Sequence, residues 1–350
     1  MKKYFALLLA GAMAFSAAGC GAGMEDITEA STELDIYMWQ DYISEDVIKA
    51  FEEEHDCTVN LTPMNSTAEA VEKLKAGCGD TFDLVMVQNS DVGYLADNDY
   101  VEKIKTDQLA NTSTLKDYCW VSKSYGIPYL MQYIYVVYDA KNCPVEIKDY
   151  SDLLAPELQG KVASVDGARN LFSMALTALG YDPNTTEEGE LAAAYDWLVK
   201  FDQNVAVYGA DAKDLTDGKI LAAVTDDRTA AEAMAKRKSL KIAPFEKQKV
   251  QALVDMFVIP AGAVHQDLAE AFLQYICDPE VMAKNLKELP YACPNEVAEV
   301  LADKAYQEAP ERNFDYSKNI FLLRYQEDGT EAIDAYYQQL MTEDSAETEE

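Results

Sequence analysis

Histidine is almost missing from this chain: His55 and His265 are the only two in 350 residues. His55 falls in an acidic stretch and His265 in an expected loop, so neither offers an evident general base to a serine or cysteine nucleophile. No two cysteines stand as CxxC, and no Cys/His spacing fits a zinc site. These gaps argue against hydrolytic or metal-dependent catalysis; neither an enzyme nor a cofactor is expected. Basic residues are also few, 29 Lys and Arg against 62 Asp and Glu, for a formal charge of −33. Such a surface repels nucleic acid and anionic lipid, while most of the charge is a solvated face that says little about a ligand. Past Phe15 no apolar run reaches the length of a membrane-spanning helix. Internal repeats and low-complexity linkers are lacking as well, which leaves an uninterrupted globular layout.

The beginning of the chain reads as a targeting segment. Lys2 and Lys3 precede an apolar run from Phe5 to Phe15, and small residues Ala17, Ala18 and Gly19 lead into Cys20. That order predicts an export signal over 1–19. A cysteine after Ala-Ala-Gly resembles a bacterial lipobox, which implies lipidation of Cys20; Ala17 stands where the usual leucine would be. Residues 20–32 then read as a flexible tether. The remainder is longer than one hydrophobic core usually serves, so two lobes are expected. Six further cysteines allow 15 pairings, and spacing does not choose among them. The acidic segment 342–350 reads as a disordered tail.

The pattern from Leu34 is strand, helix, strand, helix, strand. Leu34–Trp39 alternates as a strand, and Ser44 caps a helix whose inner face is Val47, Ile48 and Phe51. Thr58–Leu61 is a second strand. Ser66 with Glu69 reads as a capping box, Gly77 ends that helix, and Asp83–Val87 is a buried parallel strand. Ligands collect at the carboxyl ends of such strands, here Trp39–Tyr42 and Gln88–Ser90. Tyr129–Tyr138 reads as a strand crossing between lobes, and Leu253–Ile259 as a return strand stopped by Pro260. In the second lobe Val162–Val165 feeds a helix through Asp166–Asn170, and Leu221–Val224 ends in Thr225-Asp226-Asp227-Arg228 before an Ala-rich helix.

Leu34-Asp35-Ile36-Tyr37-Met38-Trp39-Gln40-Asp41-Tyr42 resembles the opening of the spermidine/putrescine-binding proteins, the polyamine branch of bacterial solute-binding proteins. The resemblance continues in order through Phe82–Val85, Tyr125–Tyr129, Pro156-Glu157, Phe172–Tyr181, Ile259–Ala261, Tyr291 with Pro294-Asn295, and Tyr336–Leu340. It implies a two-lobed α/β fold of the periplasmic-binding-protein type, each lobe a sheet flanked by helices and joined by crossing strands. The expected division is 33–138 with 257–298 for the first lobe and 139–256 with 299–341 for the second. It also implies capture of a small solute outside the cell for an ABC permease and ATPase, without catalysis. The protein is expected to act as a monomer, anchored through Cys20 to the outer face of the cytoplasmic membrane.

A polyamine receptor needs aromatic faces for methylenes and cations, and carboxylates for the ammonium ends. By resemblance the first aromatic pair falls on Trp39 and Tyr42, a carboxylate on Asp255 and a late aromatic on Tyr291. The family's second-lobe carboxylates fall instead on Gly167 and Asn170, with Asp166 one residue early. Its other aromatics fall on Ser90, Thr225 and Leu253, and its late glutamine on Leu323. The candidate ligand-binding set is therefore Trp39, Gln40, Tyr42, Gln88, Ser90, Gln132, Asp166, Asn170, Thr225, Asp226, Asp255 and Tyr291. Trp39 and Tyr291 also suit simple packing between lobes, and Arg169 and Arg228 suit salt bridges to an adjacent Asp. Two alternatives stay open: a zwitterionic ligand such as an amino acid, whose carboxylate Arg169 or Arg228 would clasp, or a sensor that reports to a membrane receptor.

Overall fold

In a computed structural model the described residues are 32–245, 248–289, 291–309 and 320–347, with backbone only for 327, 328 and 343–347. Cys20 and the leader lie outside them. The first strands and helices are β1 (Glu33–Trp39), α1 (Glu45–His55), β2 (Thr58–Met64), α2 (Thr67–Lys75), β3 (Leu84–Gln88), α3 (Val92–Asp97) and β4 (Ile127–Asp139). The middle of the chain forms β5 (Val162–Ser164), α4 (Ala168–Leu179), α5 (Glu188–Asp202), β6 (Val205–Tyr208), α6 (Ala212–Thr216), β7 (Ala222–Asp226), α7 (Asp227–Lys236) and β8 (Leu240–Ile242). It closes with β9 (Val250–Val258), α8 (Gln266–Cys277), α9 (Pro279–Leu286), α10 (Glu296–Leu301), α11 (Lys304–Gln307), β10 (Ile320–Leu322) and α12 (Glu327–Glu347).

The strands join in the order β2-β1-β3-β9-β4-β7-β5-β6, with β10 on β9 and β8 on β4. β1 pairs in parallel with β2 and β3, whereas β9 runs antiparallel to β3 and β4. The long strand β4 serves both lobes. Ile127–Tyr133 pair with β9, and Ile134–Tyr138 pair with β7. Only Gln132 and Tyr138 escape burial along β4, which fits a strand covered on both faces. One core gathers around β1, β3, β9, α1 and α8; another gathers Leu171, Phe172, Trp197, Leu198 and Phe201 with Ile333 and Leu340. The fold is two α/β lobes that share a strand.

Packing divides the chain differently from the expected boundaries. Ala252, Val254 and Met256 belong to the first core, because all of β9 hydrogen-bonds within the first-lobe sheet. Ala302 and Tyr306 also pack there, where the Tyr306 hydroxyl donates to the carbonyl of Tyr291 at 3.0 Å. The segment read as a disordered tail is helical through Glu347 as the end of α12; residues 348–350 lie outside the described residues. Upstream of that segment α12 packs on α4 and α5, with Tyr336 stacked on Phe172 and Tyr195, and the helix runs on from there. The Ser66 cap accepts from the Glu69 N–H at 3.1 Å, but the Glu69 carboxylate takes the Asn65 amide rather than closing a reciprocal box. Cys57, Cys78, Cys119, Cys143 and Cys277 carry free thiols.

Candidate ligand-binding site

β1 ends at Trp39, and the chain turns through Gln40 and Asp41, whose φ of 54° is left-handed, to deliver Tyr42 beneath the strand ends. Three hydrogen bonds hold this turn. The Tyr129 hydroxyl donates to the Tyr42 carbonyl at 2.8 Å and accepts from the Asn285 amide at 2.8 Å, while Asn285 Oδ1 accepts from the Ser44 N–H at 2.9 Å. Tyr42 is thereby aimed at Asp255, and its hydroxyl donates to Asp255 Oδ2 at 2.7 Å. Asp255 sits on β9 opposite Gln88 of β3 and Leu130 of β4, and it is only 5% exposed. Burial pushes its carboxyl up to about 6, against the pull of hydrogen bonds from Tyr42 and Trp39. The same burial, together with the Asp255 charge, raises the Tyr42 phenol well above its ordinary value.

Aromatic rings surround this acid. Tyr42 meets Tyr291 edge to face at 4.9 Å between centroids and Tyr129 at 5.9 Å. From the second lobe Arg228 reaches Tyr291. Its guanidinium carbon lies 5.1 Å from the ring centroid, and Nη1 donates to the Tyr291 hydroxyl. The expected salt bridge of Arg228 to an adjacent Asp gives way to this contact across the lobes. Asp226 instead caps α7, its Oδ1 accepting from the Thr229 N–H at 2.8 Å.

Trp39, Tyr42, Asp255 and Tyr291 thus converge, with Gln88 beside Asp255 in register. Gln132 is half-buried opposite Leu253, and Thr225 is buried opposite Tyr135. Gln40 is exposed in the turn, and Ser90 is half-buried with its hydroxyl 3.5 Å from Asp91. The start of α4 is committed to local structure. Gly167, at φ 94°, lets the chain turn so that Asp166 Oδ1 accepts from the Gly167 N–H at 2.7 Å and from the Tyr337 hydroxyl at 2.8 Å. Asn170 accepts from the Gln251 amide at 2.8 Å and donates to the Asp166 carbonyl at 2.9 Å. Arg169 donates to the Arg324 carbonyl at 2.9 Å and feels Asp334 and Asp91, not its neighbour Asp166.

Sequence reasoning missed Asn285 and Asn89. Asn89 clasps β9 and the last segment: Oδ1 accepts from the Val254 N–H at 2.9 Å, and its amide donates to the Leu323 carbonyl at 2.7 Å. An Asn between Met282 and Leu286 on the buried side of α9 was the available signal for Asn285. Elsewhere, Asp35, Asp83 and His265 bring their donor atoms within 4.8 Å of one another, the one such metal-capable group among the described residues. Both Asp83 oxygens there are already engaged, accepting from the backbone N–H of Asp35 and of His265 at 2.9 Å each.

Two lobes that share β4, with a buried acid and aromatic rings at the strand ends facing a guanidinium from the other lobe, define a binding protein of the periplasmic type. The chain belongs to the bacterial extracellular solute-binding protein family, whose model matches residues 46–313. Among curated relatives it is similar to the spermidine/putrescine-binding periplasmic protein of Escherichia coli, 28% identical over 312 residues that cover 86% of this chain and 87% of that one. The putrescine-binding periplasmic protein PotF of Escherichia coli is 27% identical, with 88% and 89% covered. Among solved structures, the spermidine/putrescine ABC transporter substrate-binding protein PotD of Streptococcus pneumoniae superposes with a TM-score of 0.75 at 23% identity, covering 89% of this chain and 99% of that one. The TpPotD lipoprotein of Treponema pallidum gives 0.76, also at 23% identity, with 88% and 99% covered.

Proposed function

We propose that this protein captures a polyamine or a related small amine between its lobes and delivers it to the permease and ATPase of an ABC importer. The observation that carries this reading is Asp255: a buried carboxylate, held by Tyr42 and flanked by Trp39 and Tyr291, is the partner that a desolvated ammonium requires. The names of the curated relatives support the same ligand class. The protein acts without catalysis, as a single copy, tethered to the outer face of the cytoplasmic membrane through a lipid on Cys20. Replacing Cys20 with Ala should move the protein from the membrane fraction to the soluble fraction, and unchanged partitioning would remove the anchor from this account.

The ligand reading is tested by titration calorimetry of the mature chain against putrescine, spermidine and other small amines. Asp255→Asn keeps shape and most hydrogen bonding while removing the charge. It should weaken the best-binding amine by about 2–5 kcal/mol, the range for losing one member of a buried charged pair. An affinity within about threefold of the parent would sink the assignment.

A further inference from the structure

We propose that a largely buried ion pair behind the site, Lys116 with Glu299, sets the position of Tyr291 and through it the affinity for the amine. The affinity half of this rests on the reading that Asp255 receives an ammonium with Tyr291 beside it. Tyr291 joins the acid by two short steps. Its ring lies 4.9 Å from that of Tyr42, whose hydroxyl donates to Asp255 at 2.7 Å. Yet Tyr291 stands on a segment, 291–295, that lies between α9 and α10 and belongs to no helix or strand. The backbone groups of such a segment need partners from elsewhere, and those partners fix where its side chains sit.

The ion pair supplies the central partners. Glu299 Oε1 accepts from the Cys293 N–H at 3.1 Å, and Oε2 accepts from the Lys116 ammonium at 2.6 Å. The same ammonium donates to the Cys293 carbonyl at 2.8 Å, so the pair holds both backbone polar groups of one residue close behind Tyr291. The Tyr306 hydroxyl bridges the remaining gap, 3.0 Å from the Tyr291 carbonyl and 3.1 Å from Glu299 Oε1. Between and beyond these, the Met131 N–H donates to the Ala292 carbonyl and the Lys116 N–H to the Pro294 carbonyl, each at 2.8 Å. The Lys116 and Glu299 side chains are 13% and 24% exposed, so salt screens them less than a surface pair. Burial presses the Lys116 ammonium down, but Glu299 holds it above its ordinary value. Glu299 is thus a positioning residue, acting through the segment that bears Tyr291.

Two readouts on Glu299→Gln decide the point. The first is fluorine NMR with 3-fluorotyrosine in place of Tyr291 and, as a control in the same lobe, of Tyr37, whose ring packs on Phe82. Glu299→Gln should shift or broaden the signal from position 291 and leave that from position 37 unchanged. A signal unmoved at 291, or moved alike at both positions, overturns the proposal. The second is calorimetry with putrescine and spermidine. Glu299→Gln should weaken the tighter of the two by about tenfold, and by less than about twofold when Tyr291 is already Ala. A full loss that persists in the Tyr291→Ala background also overturns it, because Glu299 would then not act through Tyr291. Tyr306→Phe removes one hydroxyl and leaves the ion pair, so it tests the same path if Glu299→Gln fails to fold. It should move the signal at 291 and cost about threefold in affinity, and no effect on either would overturn the proposal. A parent that binds neither amine overturns the polyamine reading instead, while the fluorine signal still decides whether the pair positions Tyr291.

Discussion

Asp255 lies in a strand whose neighbours Val254, Met256 and Phe257 are fully buried, and the strand carries it out of water with them. Its carboxyl rises to about 6 because burial disfavours the charged form more than Tyr42 and Trp39 restore it. A shift of about two units from the ordinary carboxylate value corresponds to about 3 kcal/mol against the ionised state, to order of magnitude. With the folded value above the unfolded one, this group's contribution to stability is intact below about pH 4 and is lost as pH climbs through about 6. Ligand-free Asp255→Asn should therefore unfold later than the parent at pH 7, by about 1–3 kcal/mol, and the gap should close near pH 4. A variant that melts earlier at pH 7 would mean that the hydrogen bonds outweigh the desolvation. A bound ammonium reverses the balance by favouring the carboxylate, so amine affinity should fall with acidity below about pH 6, by up to about tenfold per unit. The acid was legible through family resemblance. Its donor Tyr42 lies 213 residues away, and no local pattern joins the two.

The turn between β1 and α1 depends on α9. Asn285 bonds the Ser44 N–H and the Tyr129 hydroxyl, so it braces the turn that carries Tyr42 from the outside. Asn285→Ala should cost about 2 kcal/mol in a urea melt, since it leaves buried polar groups unsatisfied. It should also weaken amine binding as Tyr42 loses its aim. Lost stability with unchanged affinity would show that the Tyr129 bond alone suffices. Helix starts and strand interiors read well from local chemistry: Ser44 caps α1 and Val47, Ile48 and Phe51 form its buried face, as the spacing predicts. Element ends read less well. β9 begins at Val250, ahead of the expected Leu253, because β10 pairs in parallel with Val250–Ala252 from a distant part of the chain.

The lobes meet through β4 and through the Arg228–Tyr291 contact. A ligand gripped by groups from both lobes favours the state that brings them together. Small-angle scattering should show a smaller radius of gyration with saturating amine than without it. An unchanged radius would indicate a rigid, preformed site. The strands and helices, their buried faces and the order in which they alternate follow from periodicity, caps and turns, all of which act over a few residues. Colinear resemblance added the two-lobed plan and the acid at Asp255. The partner of each charged side chain follows from neither. Adjacent residues suggested that Arg228 and Arg169 would pair with Asp next door, yet Arg228 crosses to Tyr291 and Arg169 turns to the Arg324 carbonyl. The acidic end of the chain reads as disordered by composition, whereas α12, anchored upstream on α4 and α5, carries the helix on through Glu347. Such choices depend on which surfaces the folded lobes bring within a few ångströms, and short-range patterns along the chain carry no record of that.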